Sequence, residues 1–236
     1  MDTQDDPQIS AALRRFLDEA PVAREPHVPF LREAAASMAP GSRVLDVGAG
    51  DAPYRELFAG LDYLTCDWVD SQYAPEVPPD IVASGEAIPL PDASLDALVS
   101  TQALEHMPEP WVVLEEWFRL IRPGGTIWLT TPLTWYLHEE PHDYYRYTSH
   151  GLRHLLHRAG FADIEIRPMN DTLATLGQLL THAGHLVGSQ DDGQEEARRV
   201  CAETLAALAP VVASYGHLDS RWLLPVSFAA RATRPA

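Results

Sequence analysis

The segment Val44-Leu-Asp-Val-Gly-Ala-Gly-Asp-Ala52 constrains this chain more than any other. An apolar, β-branched run passes straight into a Gly-x-Gly turn, which predicts a buried strand that reverses sharply at a helix start. Glycine permits the turn and lets a ligand approach the backbone closely, and a helix N-terminus presents unpaired N–H groups. Dinucleotide folds carry Gly-x-Gly-x-x-Gly. Here Pro53 stands where the third glycine would fall, and Asp46 adds a carboxylate before the turn that would repel a pyrophosphate. Asp67 follows just past the next predicted strand, where an acid can accept from ribose hydroxyls. The two features together argue for an adenosine-type ligand without bulky phosphates.

The rest of the chain has the rhythm of an open α/β sheet. Strands are predicted over 43–47, 61–66, 80–83, 95–100, 126–131 and 161–167, with a last one over 224–230. Helices are predicted over 8–19, 27–38, 111–121, 149–159, 171–187 and 194–214. Trp111, Leu114, Trp117, Phe118 and Ile121 recur at helical spacing, and Pro123-Gly124-Gly125 ends that helix. Strands alternating with helices of this length predict a doubly wound, mostly parallel sheet covered on both faces. The 236 residues divide into an N-terminal helical cap (1–40), a Rossmann-like core (41–168), a helical insertion (169–222) and a final strand with its tail (223–236). The insertion and the N-terminal helices are expected to roof the pocket or to form a homodimer contact.

Composition excludes several classes. Thirty-four acids against 17 bases give a net charge of −17, which repels phosphate backbones and anionic lipid surfaces, so neither nucleic acid nor membrane is an expected partner. Every base is arginine, so Schiff-base chemistry and a P-loop lysine are out. Cys66 and Cys201 are too few for a disulfide framework and are expected to be reduced, buried thiols. No apolar run reaches the ~18 residues of a membrane span, and the acidic N-terminus lacks the features of a secretory signal, so the expected location is cytoplasmic.

Four motifs in order carry a family resemblance: the glycine turn at 44–50, Ile88-Pro-Leu-Pro-Asp-Ala-Ser-Leu-Asp96, Ala103-Leu-Glu-His-Met-Pro-Glu-Pro110 and Arg119-Leu-Ile-Arg-Pro-Gly-Gly125. Over about residues 40–168 the chain resembles the class I S-adenosylmethionine-dependent methyltransferases, and within them the type 11 group. That resemblance implies a seven-stranded sheet whose last strand is antiparallel, and S-adenosyl-L-methionine as cofactor with S-adenosyl-L-homocysteine as product. It places Gly48 and Gly50 at the cofactor's amino-acid part, Asp67 at the ribose, Glu86 and Ala87 near the adenine and Gln102 beside the methionine end. The implied binding set also takes in Asp46, Ala49 and Trp68. Two positions depart from the family pattern: Ala52 replaces a usual glycine, and Ser84 stands where many members place an aspartate near the adenine.

His138-Glu-Glu-Pro-His142 matches the zinc-protease letters His-Glu-x-x-His. That motif works on a helix, and Pro141 is incompatible with a helix interior, so residues 132–147 are read as a loop. The loop follows the fifth strand at the carboxyl edge, where open α/β sheets bind ligands. His138, His142 and Asp143 are therefore the candidate catalytic residues, with His106 and Tyr145 secondary; His106 is read equally as a base or as a hydrogen-bonded structural residue. The competing reading pairs Asp143 with Arg146 and packs the tyrosines beneath the loop. A divalent metal on His138, Glu139 and His142 is a further alternative, but its mixed ligands name no ion and no metal is expected. A histidine-rich loop favours a hydroxyl acceptor, whose proton must leave. The expected activity is O-methylation of a small molecule, such as a natural product or glycoside. The alternatives are a peptide or amine N-methyltransferase and a protein that binds the cofactor without methyl transfer.

Overall fold

The computed structural model describes residues 6, 9–68, 77–189 and 194–236. Gln8, where the first helix was expected to start, and residues 190–193 of the polar loop before the last helix lie outside them.

Seven strands form one sheet: β1 (Arg43–Val47), β2 (Asp62–Asp67), β3 (Ile81–Val82), β4 (Leu95–Thr101), β5 (Ile121–Pro132), β6 (Ala162–Pro168) and β7 (Ser227–Thr233). Their order is β3-β2-β1-β4-β5-β7-β6. The first five pair in parallel, and β7 enters antiparallel between β5 and β6. This is the Rossmann-like sheet with an antiparallel last strand. The chain order reverses between β1 and β4, which opens a crevice at the carboxyl ends of those strands.

Side-chain alternation sorts the core into two layers. Leu45, Val47, Leu98, Ile127 and Leu129 point to one face. There they meet Val113, Leu114 and Trp117 of α4 (Pro110–Leu120), and Leu152 and Leu156 of α5 (Ser149–Arg158). Val44, Ala97, Val99 and Trp128 point to the other, against Leu13 and Leu17 of α1 (Ala11–Asp18) and Val28, Leu31 and Ala34 of α3 (His27–Ala36). The N-terminal helices thus form the second layer of the sandwich, where a pocket roof or dimer contact was expected. The one-turn helix α2 (Pro21–Arg24) between them starts at a proline and was not anticipated.

Helices begin where side chains cap them. Ser10 accepts from the Leu13 N–H, Thr148 from Gly151, and Asp171 from both Leu173 and Ala174 at the start of α6 (Thr172–Gly188). With α7 (Glu195–Ala213), α6 lies in sequence between β6 and β7. Cys66 is buried, and burial pushes its thiol up to about 12. Cys201 is exposed on α7, contrary to the expected burial. No helix among the described residues is long and apolar enough to cross a membrane.

Candidate active site

The crevice is a cavity of about 680 Å³. Its floor comes from the ends of β1, β2 and β4. Gly48 (φ +72°) and Gly50 (φ +51°) turn the chain after β1, and a Cβ at Gly50 would meet open space. An α-helix start was expected here. Instead Ala52 bonds back to Ala49, and only a four-residue 3₁₀ turn, Arg55–Phe58, follows. The donors of the turn are engaged inside the protein: the Gly48 and Ala49 N–H groups donate to the Cys66 carbonyl, and the Gly50 N–H donates to the Asp67 carboxylate at 2.6 Å. The turn therefore meets a ligand through its carbonyls and its lack of side chains, not as a cradle of donors.

Asp67 closes β2 and lines the cavity; its other oxygen accepts from the Trp68 N–H at 2.6 Å. Two acceptor positions of a carboxylate are so used, and the remainder can take a diol. Trp68 stands edge-on to His142 with ring centroids 5.4 Å apart. Ser84, Gly85 and Glu86 form the far wall, and α4 holds this segment from behind at Gly85, Ile88 and Leu90. Trp117 donates to the Gly85 carbonyl at 3.1 Å, Glu116 accepts from the Ile88 N–H at 2.9 Å, and Arg119 donates to the Ile88 and Leu90 carbonyls. Gln102, at the end of β4, lines the cavity with φ +51°, a conformation that costs a non-glycine residue about 1–2 kcal/mol. Its N–H donates to the Thr130 carbonyl and its amide to the Thr130 hydroxyl, which hold it there.

The other residues expected to bind cofactor sit elsewhere. Asp46 is buried in β1 beneath the turn and accepts from the Tyr63 hydroxyl; burial raises its carboxyl to about 7. Neither Asp46 nor Ala49 nor Ala87 is part of the cavity wall, and neither is any described residue of 1–40.

Residues 133–147 form neither helix nor strand, so the His-Glu-x-x-His letters share no helix face. Of the loop histidines, His142 lines the cavity, with its Nδ1 3.1 Å from the Tyr144 hydroxyl. His106, on the 3₁₀ turn after β4, lines it too. His138, Asp143 and Tyr145 stand outside the lining. Tyr145 donates to the Pro108 carbonyl. Asp143 is a clamp: Arg146 donates to both its oxygens at 2.5 and 2.7 Å, and it also accepts from the His138 N–H at 3.0 Å. Those contacts, Arg146 foremost, hold its carboxyl well below the usual range. The helical insertion docks on the same loop through His182 of α6, whose ring lies 4.5 Å from Trp135 and 4.6 Å from Tyr136. Sequence reasoning missed Met107 and the buried Glu105. Met107 and Tyr144 line the cavity; Glu105 lies within the family motif at 103–110, but its burial has no periodic signal.

Comparison with known proteins places this geometry. Residues 45–129 match a family model described as a methyltransferase domain. An uncharacterized methyltransferase of Mycobacterium sp. strain JLS is 35% identical over 116 residues, 43% of this chain and 46% of that relative. The matched stretch thus spans about half the relative's length. Among solved structures, a SAM-dependent methyltransferase from Archaeoglobus fulgidus aligns with TM-score 0.58 at 20% identity, over 93% of this chain and 98% of that one. A phosphoethanolamine N-methyltransferase 2 of Haemonchus contortus, in complex with S-adenosyl-L-methionine, aligns with TM-score 0.57 at 15% identity, over 96% and 61%. The sheet order, the glycine turn and the matched segment agree: residues 45–129 are similar to the methyltransferase-domain family, and the fold is that of the S-adenosylmethionine-dependent methyltransferases of known structure.

Proposed function

We propose that the chain transfers a methyl group from S-adenosylmethionine to a small-molecule hydroxyl. One observation carries the choice of cofactor. The N–H donors of the Gly48–Gly50 turn are engaged by Cys66 and Asp67, so a pyrophosphate finds no cradle there, whereas a zwitterionic amino-acid group with a ribose suits carbonyls and a carboxylate. The residues therefore fit the cofactor: Gly48 and Gly50 beside its amino-acid part, Asp67 on the ribose diol, Glu86 and Trp68 flanking the base. When bound, S-adenosylmethionine supplies a methyl group activated by a sulfonium.

The protein's task is alignment, which in favourable cases removes about 7–11 kcal/mol of barrier. His142 is the base in this reading, because of the loop histidines it is the one on the cavity wall. It would take the acceptor's proton as the new C–O bond forms. A wall made by loop residues 139–142 and Tyr144, backed by α6 through His182, suits a medium-sized acceptor.

The test has two stages. Thermal melts with S-adenosylmethionine, S-adenosylhomocysteine and NAD should rise for the first two alone, by several degrees at about 100 times Kd. Labelled methyl transfer to a panel of phenols, sugars and amines should then favour hydroxyls, and His142→Gln should lower kcat by about 10²–10⁴ while leaving the melt shift intact. A shift with NAD alone would overturn the cofactor assignment, and transfer to amines alone would overturn the acceptor.

A further inference from the structure

We propose that Glu105, His106 and His138 form a divalent transition-metal site behind the acceptor end of the cavity. Each offers a ligand atom within 4.8 Å of the other two. Glu105 has no exposed surface, and neither of its carboxylate oxygens has a hydrogen-bond partner. Nε2 of His106 is likewise buried without a hydrogen-bond partner, 3.9 Å from Glu105 Oε1 and 3.8 Å from Glu139 Oε2. A buried carboxyl with nothing to bond is costly, and a cation between it and two imidazoles removes the cost.

The surroundings already orient both rings for this use. His106 Nδ1 lies 2.9 Å from the His142 carbonyl oxygen. His138 Nδ1 lies 3.2 Å from both Asp143 Oδ2 and the Tyr136 carbonyl. The oxygen acceptors at 2.9–3.2 Å from each Nδ1, closer than the Arg146 Nη2 at 3.5 Å from that of His138, favour the proton there and leave each Nε2 its lone pair, the arrangement in which protein histidines bind metals. Asp143 is fixed in turn by Arg146, which keeps that guanidinium occupied. Two imidazoles and a carboxylate suit Zn²⁺, Co²⁺ or Fe²⁺. Bonds of about 2.0–2.1 Å set ligands roughly 3.3 Å apart around a tetrahedral ion, so separations of up to 4.8 Å must close by as much as about 1.5 Å. The proposal goes beyond methyl transfer and does not depend on it.

Chelator-treated full-length protein is titrated with Zn²⁺ by calorimetry and with Co²⁺ by visible absorption. One equivalent should bind, with the ligand-field bands of histidine-bound Co²⁺. His106→Ala and His138→Ala should each weaken binding at least 100-fold, and Asp143→Asn by about 10–100-fold through the His138 ring it orients. His154→Ala, in the histidine-lined groove on α5, should change nothing. Glu105→Gln keeps the shape of the side chain and serves if a histidine variant fails to fold. Absence of stoichiometric binding, or binding unchanged in His106→Ala and Glu105→Gln, would overturn the site. S-adenosylmethionine melts on the same metal-free protein keep this outcome separate from the cofactor assignment.

Discussion

A Cβ built on Gly48 would stand 2.3 Å from the Cβ of Ala103, so the turn after β1 and the segment after β4 touch at the floor of the crevice. Gly48 also has φ +72°. Gly48→Ala combines a backbone conformation that costs about 1–2 kcal/mol with a clash that neither backbone can avoid without moving. The expected result is a chain that melts far below wild type and shows no S-adenosylmethionine shift. Gly50→Ala, with open space around its Cβ, should lose only the conformational part. Equal melts for the two variants would refute this account.

Ala52 is the converse case. It holds φ +51° without a glycine's freedom, at the position where the family usually has glycine. Ala52→Gly should relieve about 1 kcal/mol of strain, partly offset by the freedom glycine has in the unfolded chain. Urea unfolding should therefore move by less than about 1 kcal/mol, with cofactor affinity equal to wild type or better. A loss above 1 kcal/mol would mean that the methyl group packs usefully.

Asp67 both anchors the turn and faces the cavity. Asp67→Asn keeps the size but replaces one acceptor oxygen by a donor, which opposes either the Gly50 or the Trp68 N–H. Hydrogen bonds to a charged group contribute about 1.5–3 kcal/mol, so calorimetry should find S-adenosylmethionine bound about 10–100-fold more weakly. Unchanged affinity would remove Asp67 from the site.

Much of this was legible because local rules and tertiary demand agree. β1 falls on Arg43–Val47 as read, since a β-branched run ending in Gly-x-Gly has little else to become. The edges went astray where pairing overrides pattern. β5 begins at Ile121, which pairs with Leu95 before Arg122–Gly125 bulge out and Thr126 meets Ala97. The last strand is 227–233, three residues later than read. Its register follows β5, with Ala229 opposite Thr130, and its buried face is mostly alanine, which carries little hydrophobic signal beside Leu224. At the site, the glycines, Asp67 and Gln102 were readable from motif and order. Which loop histidine reaches the cavity depends on the path of residues 133–147, which has no period.

Two buried groups make opposite demands on pH. His27, the buried first residue of α3, has Nδ1 2.8 Å from the Tyr54 hydroxyl; burial, helped by Arg24, lowers its pKa from 6.5 to about 3. Folding prefers the neutral ring, so its contribution is intact above pH 6.5 and is lost as pH falls toward 3. Burial raises Asp46 from 3.8 to about 7, against the Tyr63 hydrogen bond and with the help of Asp67. Folding prefers that carboxyl protonated, so stability falls as pH rises from about 4 to 7. Over pH 4–6.5 the two slopes oppose each other, each approaching about 1.4 kcal/mol per pH unit. Asp46→Asn should therefore gain stability relative to wild type as pH rises through this window. His27→Gln should gain relative to wild type as pH falls through it. Melting curves parallel to wild type at every pH would refute both assignments.

Trp117 joins the core to the cofactor wall. Its ring is fully buried against β4 and β5, and its N–H donates to the Gly85 carbonyl at 3.1 Å, where Gly85 lines the cavity beside Met107. Trp117→Phe keeps an aromatic ring but removes the donor and leaves a small void. An unsatisfied buried carbonyl costs about 1–3 kcal/mol, and the void adds to it. For a chain of this length the melting temperature should drop by roughly 5–10 °C. The wall from Ser84 to Glu86 then loses the Gly85 tie to α4, while Glu116 and Arg119 still hold the chain just beyond it at Ile88 and Leu90. S-adenosylmethionine should accordingly bind several-fold more weakly, and its melt shift at a fixed concentration should shrink. A lower melting temperature with unchanged affinity would show that Glu116 and Arg119 suffice to hold the wall and that Trp117 serves packing alone.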